Sequence, residues 1–138
     1  MPMIYGYILG TKDGILIHDK FYGVPPTTAS ELAVSALSAI RSFTLNVLNE
    51  SIEQVVTGRN QISLAVGQRL MLATVSRVNT AVAKQLAKKY LKTIEQKLST
   101  TSIVGSSPQL IDKIKSDLDD LERDIEDVNS NYSHIDYA

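Results

Sequence analysis

From Met3 to Leu9, and again from Ile15 to Tyr22, the chain is rich in Ile, Leu and Tyr, with Lys12-Asp13-Gly14 between the two runs. Two strands joined by a hairpin is the economical reading, because Asp-Gly readily supplies the positive φ values that such turns require. GVPPTT follows. Its two prolines end any strand, and Thr28 with Glu31 three residues later is a capping-box pattern that opens a helix. Within ELAVSALSAIRSFTLNVL, residues Leu32, Ala36, Leu37, Ile40, Phe43, Val47 and Leu48 recur at spacings of three and four, and this stripe is expected to face a sheet. Val34 and Leu45 fall near the opposite side, with Ser35, Ser38 and Ser42 between them on a face of small side chains. A helix so weakly amphipathic predicts a second contact surface.

Three short β-rich runs come next: Ile52 to Thr57, Gln61 to Val66 and Leu70 to Ser76. Gly58-Arg59-Asn60 and Gly67-Gln68-Arg69 separate them, which predicts an antiparallel meander. Asn79 or Thr80 then caps a second helix whose buried stripe is Val82, Leu86, Tyr90, Leu91, Ile94 and Leu98. Lys84, Lys88 and Lys92 repeat every four residues on another face, either as a solvated surface or as a dock for an acidic one. The Ser, Thr, Gly and Pro content of residues 99–108 marks a linker. Beyond it, Ile111, Ile114, Leu118, Leu121, Ile125 and Val128 alternate spacings of three and four, an a/d seam in an acidic segment. Under three heptads make no autonomous coiled coil, so this helix is expected to dock on its own body, near the lysine stripe, or on a second chain. The fold class expected is α/β (α+β): a five-stranded antiparallel sheet with flanking helices, order ββαβββα, plus an extra C-terminal helix. The domain spans 1–98, the linker 99–108, the acidic helix 109–129 and a frayed tail 130–138, without internal repeats.

Length and composition fit one globular domain. The chain has 138 residues, enough to bury a core without metals or disulfides, and 43% of them are apolar. It has no cysteine, which excludes a disulfide framework, a thiolate zinc site and a cysteine nucleophile. The N-terminus lacks a basic n-region and a small-residue cleavage site, and no apolar run approaches the roughly 18 residues needed to span a bilayer, so the reading is cytoplasmic, without direct membrane insertion. A net charge of -1 argues against a nucleic-acid binder. That average hides an asymmetry: residues 1–105 carry 11 Lys+Arg and 6 Asp+Glu, whereas residues 106–138 carry 3 and 9.

Candidate chemistry is sparse. A phosphate-binding P-loop needs lysine directly after its last glycine and a helix after that; here Thr11 follows Gly10, Lys12 comes later, and a β-rich run follows. Gly6, Gly10 and Gly14 therefore read as strand-end and turn punctuation. His18 lies beside Asp19 but has no serine, second histidine or oxyanion-type turn to complete a site, so it reads as an edge-strand histidine. DLDDLERDIED lacks the central glycine of a calcium loop and has a leucine seam running through it, which fits a solvated helix face. No catalytic residue, cofactor or metal ligand is assigned, and the protein is expected not to be an enzyme.

The order ββαβββα, with DGILIHDKFYG, ELAVSALSAI, IEQVVTGRNQISLAV and LMLATVSRVNTAVAKQLAKKYL, resembles the roadblock/longin superfamily and its profilin-like fold over roughly residues 3–98. The resemblance implies a small platform that dimerises, with itself or with a sister subunit, and binds or regulates a Ras-like GTPase or scaffolds a complex. Longin members act in membrane trafficking. Roadblock domains open with a helix before the first strand, whereas this chain begins with the strand; the acidic helix is a longin-like addition or a replacement for the missing helix from the other end of the chain. Carried over from the family, the dimer interface comprises Val34, Ser35, Ser38, Ala39, Ser42 and Leu45 on the first helix and Ile52, Gln54 and Val56 on the third strand. Arg41, Arg59, Arg69 and Arg77 are candidates to meet an acidic partner. The alternative function is a small-ligand sensor with a cavity between sheet and helices, which would want an aromatic lining that two Phe, six Tyr and no Trp scarcely provide.

Overall fold

The computed structural model describes residues 2–22, 30–98 and 108–132. In chain order the elements are β1 (Ile4–Thr11), β2 (Leu16–Phe21), α1 (Ser30–Leu48), β3 (Gln54–Val56), β4 (Asn60–Val66), β5 (Leu70–Arg77), α2 (Ala81–Lys97) and α3 (Pro108–Tyr132). All five strands join one antiparallel sheet in the order β2-β1-β5-β4-β3. The expected fold class and element order are those observed. Thr28 of the capping pattern, residues 99–107 of the linker and residues 133–138 of the tail lie outside the described residues. Residues 130–132 continue α3 in helical form.

The hairpin between β1 and β2 turns through Gly14, whose φ of 97° is open to glycine and strained for other residues. Thr11 N–H donates to the Ile15 carbonyl at 2.9 Å, and Gly14 N–H to the Thr11 carbonyl at 3.0 Å. β3 is shorter than its sequence suggests: it pairs with β4 only from Gln54↔Ser63 to Val56↔Gln61, so the Val66 end of β4 pairs with β5 but not with β3.

One face of the sheet carries α2 and α3. Leu86, Tyr90, Leu91, Ile94 and Leu98 of α2 are buried there together with Ala83 and Ala87, and Val82 is half-buried against them. From α3, Leu110, Ile114, Leu118, Leu121 and Ile125 are buried against Ile4, Tyr7, Leu9 and Ile17, with Ile111 and Val128 packed at the margin. α3 thus covers the β1–β2 half of the face, and α2 the β4–β5 half. Its acidic residues meet α2 through Lys97–Asp117 at 2.9 Å and Lys89–Asp124 at 3.7 Å. The Lys84/Lys88/Lys92 stripe is not the dock: Lys84 and Lys88 pair with Glu53 of their own chain, at 2.9 and 3.8 Å.

The other face carries α1, rotated from the orientation expected. Val34 and Leu37 are buried, packed in one cluster with Ile8, Leu64, Met71 and Ala73. Ile40, Phe43, Val47 and Leu48, assigned to the sheet by their spacing, are 40%, 63%, 60% and 59% exposed. The reason lies in the helix itself, which is apolar on two sides. Ala36, Ile40, Phe43 and Val47 form the more regular stripe, but the turn between β1 and β2 takes hydrogen bonds from the side bearing Ser35 and Ser38. Ser38 Oγ donates to the Lys12 carbonyl at 2.6 Å, and Ser35 Oγ to the Gly14 carbonyl at 3.2 Å. Those two bonds and the buried Val34 and Leu37 set the rotation.

Candidate interaction surface

α1 packs on β1 and β2 and leaves the β3–β4 half of its sheet face without a helix among the described residues. Ile52, Val55, Ile62 and Val66 lie half-buried there, at the margin of the α1 core. At the sheet edge Gln54 and Val56 of β3 are exposed, Val56 by 53%. Three features therefore neighbour one another: an unpaired strand edge, an open half-face of apolar side chains and an apolar outer flank of α1. Edge strands and large apolar patches of this kind are aggregation hazards in a lone monomer and the usual makings of a protein interface.

Of the positions expected at an interface, Ala39, Ser42, Gln54 and Val56 are exposed, and Leu45 and Ile52 are half-buried. Val34 is 1% exposed and belongs to the core of its own chain, a correction that follows from the rotation of α1. Ser35 and Ser38 are spent on the β1–β2 turn. Sequence spacing did reveal Ile40, Phe43 and Val47, but as sheet-facing residues; the signal for their true side was the weak amphipathicity of the helix.

On the opposite face, a polar knot fastens α3 to the first two strands. The Glu122 carboxylate accepts the Tyr7 hydroxyl at 2.7 Å and Lys20 Nζ at 3.0 Å, and His18 Nε2 stands 4.0 Å away. Asn129 closes the end of the helix on β1, accepting Ile4 N–H at 2.9 Å and donating to the Ile4 carbonyl at 3.0 Å. Burial pushes Glu122 upward, but Tyr7, Lys20 and His18 together outweigh it and hold the carboxyl below its usual range. Burial, reinforced by Glu122, drives the Tyr7 hydroxyl far above that of a free tyrosine. His18, weighed as a lone base, thus sits beside a structural carboxylate, with its ring 6.0 Å from that of Tyr7. The geometry is that of a clasp, and Glu122 was not singled out because 104 residues separate it from His18.

Removing the carboxylate leaves a buried hydroxyl without its acceptor, so Glu122→Ala is expected to cost about 1–3 kcal/mol in urea unfolding. The pH dependence follows from the lowered folded-state pKa. The ion's stabilisation is fully present above the unfolded carboxylate value of about 4.3 and is lost as pH falls through the folded value. Midpoints measured from pH 7 to pH 3 should therefore fall less steeply in Glu122→Gln than in the parent; equal slopes would remove Glu122 from the acid response.

Recesses also mark the surface, two of them beside the features above. One, of about 570 Å³, lies where β3 fails to cover β4, between Ile52, Leu64, Val66 and the Lys88–Glu95 flank of α2; no aromatic side chain lines it. The other, of about 500 Å³, lies at the tips of the β1–β2 and β4–β5 turns beside Arg41. The four candidate arginines divide between the two ends of the sheet: Arg41 and Arg69 meet at this recess, whereas Arg59 and Arg77 stand at the far end, where Val78 N–H donates to the Arg59 carbonyl. No group of three or more metal-binding side chains occurs among the described residues, and none of the described helices is long and apolar enough to cross a membrane.

No protein-family model matches this sequence, and no curated protein matches it significantly. Solved structures do match. A roadblock/LC7 domain from Streptomyces avermitilis superposes with a TM-score of 0.56 at 17% identity, covering 72% of this chain and 88% of that one. MglB of Myxococcus xanthus gives 0.53 at 14% identity over 67% and 84% of the two chains. An MglB with a tetrameric arrangement gives 0.52 at 14% identity, over 62% and 70%. At such identities the likeness speaks for architecture alone. The chain has the fold of the roadblock/longin superfamily.

Proposed function

We propose that this protein is a non-enzymatic interaction platform that self-associates through α1 and β3 and, as a dimer, binds or regulates a small Ras-like GTPase. The observation that carries the first half is the stripe Ile40, Phe43 and Val47, which faces solvent although its spacing is that of a packed helix. A two-fold axis beside it lays each α1 against its twin and over the open half-face of the neighbouring sheet. The same operation sets β3 against β3, so the edge and the apolar flank are covered together, as an isologous interface requires. The tetrameric arrangement of an MglB of this fold supports self-association. The GTPase rests on the family resemblance.

In this interface Phe43, with Ile40 and Val47, replaces Val34, Ser35 and Ser38 in the contact set, and Val56 is kept. Phe43→Glu is expected to weaken self-association at least about thirtyfold, the loss of one aromatic anchor of about 2 kcal/mol. Sedimentation velocity across a concentration series measures this; a parent chain monomeric at high micromolar concentration would sink the homodimer. Affinity capture from native extract tests the second half. Recovery of a Ras-like GTPase by the parent chain but not by Phe43→Glu is the expected result, and its absence with the dimer intact removes the GTPase while leaving the dimer standing.

A further inference from the structure

Helix α2 starts at a third recess, of about 470 Å³, walled by Gln54 of β3, Gln61 of β4 and the first two turns of the helix. The first N–H groups of a helix have no partner within it and are normally met by a side-chain oxygen of the residue that precedes it. Thr80 holds that place, with φ −92° and ψ 91°, yet its side chain makes no capping bond. Its hydroxyl is left over: Thr80 is 3% exposed, and Oγ1 is buried without a hydrogen-bond partner. The Ala83 N–H reaches the Thr80 carbonyl at 3.3 Å, whereas those of Ala81 and Val82 find no acceptor among the described residues, and no acidic residue stands in the first turn. The fold holds this end open. Gln61, itself 3% exposed, accepts the Asn79 N–H at 2.9 Å and donates to the Thr80 carbonyl at 2.9 Å and to Ser63 Oγ at 3.3 Å. Asn79 lies in the left-handed region at φ 68°. That clamp uses the side chain of Gln61 on the frame alone, so the donors at the start of α2 are fixed in place and lack an acceptor.

We propose that this recess binds a carboxylate, which caps α2 in place of a side chain of its own. Two coplanar oxygens accept from the Ala81 and Val82 N–H groups and from the Thr80 hydroxyl, as the carboxylate of a capping aspartate would, and the positive end of the helix dipole favours the charge. Lys84 and Lys88 also line the recess, but Glu53 answers both, at 2.9 and 3.8 Å. The attraction therefore rests on neutral donors. That balance favours a singly charged carboxylate over a phosphate dianion, which would call for cations to spare. A volume of about 470 Å³ leaves room for the group that bears the carboxylate, whether a small organic acid or the end of a peptide. The donors belong to α2 and its cap, so the site goes beyond the dimer and does not depend on it.

The test is an amide-resolved NMR titration of the full chain with acetate at constant ionic strength, with acetamide as the neutral control of the same size. Saturable shifts centred on residues 79–83 are expected, with acetamide at least about tenfold weaker. Thr80→Asp brings its own carboxylate to the cap and should abolish the acetate shifts while raising the urea midpoint. Thr80→Val removes the hydroxyl at nearly constant shape and should weaken acetate about fivefold or more without lowering the midpoint, which makes it the deciding variant if the buried aspartate unfolds the chain. Lys84→Gln should weaken acetate no more than about threefold, the scale of an exposed ion pair. A larger loss there, shifts that centre elsewhere, or shifts that Thr80→Val leaves unchanged would overturn the site. Inorganic phosphate binding more than about tenfold tighter than acetate would overturn the ligand class. N-acetylalanine then distinguishes the sources: binding at least about fivefold tighter than acetate assigns a peptide end, and equal binding assigns a small free acid. Absence of saturable acetate binding by the parent chain refutes the proposal.

Discussion

Leu121→Ala is expected to lower the free energy of unfolding by about 2–5 kcal/mol, the range for deleting a buried leucine side chain in a core that relaxes only in part. Leu121 is fully buried in the seam of α3, between Leu118 and Ile125, over β1 and β2. The cavity would open beneath a helix that Ile114 and its neighbours in the seam, the Glu122 clasp, Asn129 and the ion pairs to α2 also hold in place. Equilibrium urea unfolding of the parent and the variant measures the loss. A change under about 1 kcal/mol would mean that α3 contributes little to the fold, since ordinary exposed positions cost no more than about 0.5 kcal/mol. Leu121→Met, which keeps the volume, should cost less than about 1.5 kcal/mol and so separates packing from incidental damage.

Gly6→Ala should be nearly as severe for a different reason. Gly6 stands in β1 where its register with β5 shifts, and it faces Phe21 across the β1–β2 pairing. A methyl group there would fall 2.3 Å from the Lys20 carbonyl oxygen and 2.9 Å from the Phe21 Cα, both backbone atoms that cannot swing aside. The strands must part to admit it, and overpacking of this kind costs about 1–3 kcal/mol, occasionally more. Because the damage is to one edge pairing, hydrogen exchange should show it first in β2 and at the Tyr22 N–H just beyond it, which donates to the Tyr5 carbonyl at 2.7 Å. Uniform protection in the variant would contradict that placement.

What could be read in the sequence was whatever a single periodicity decides. The α3 seam has one apolar side and strongly charged remaining sides, so spacing alone identified its packed face. The five strands and the meander were legible because turn residues bracket each run. In α1 the rule had two answers, and the better-patterned stripe is the one left to solvent; the choice was made by Ser35 and Ser38, whose bonds to the turn 21 and 26 residues away carry no local signature. The extent of β3 was overread for a related reason, since Ile52 and Glu53 have strand chemistry but the ladder ends at Gln54. Neither the Glu122 clasp nor the Gln61 clamp on Asn79 and Thr80 was legible, because each joins residues distant in sequence through the fold itself.

The placement of α3 has a consequence for how the chain is made. β1 is synthesised well before α3, yet its cover on one face comes from that helix, with Ile4 and Asn129 joined across 125 positions. At about 5–20 residues per second the ribosome needs on the order of 10 s to supply that helix after the first strand. Through that interval Ile4, Leu9 and Ile17 of the nascent hairpin have no permanent neighbour on that side, which makes the first hairpin the segment most in need of chaperone shelter.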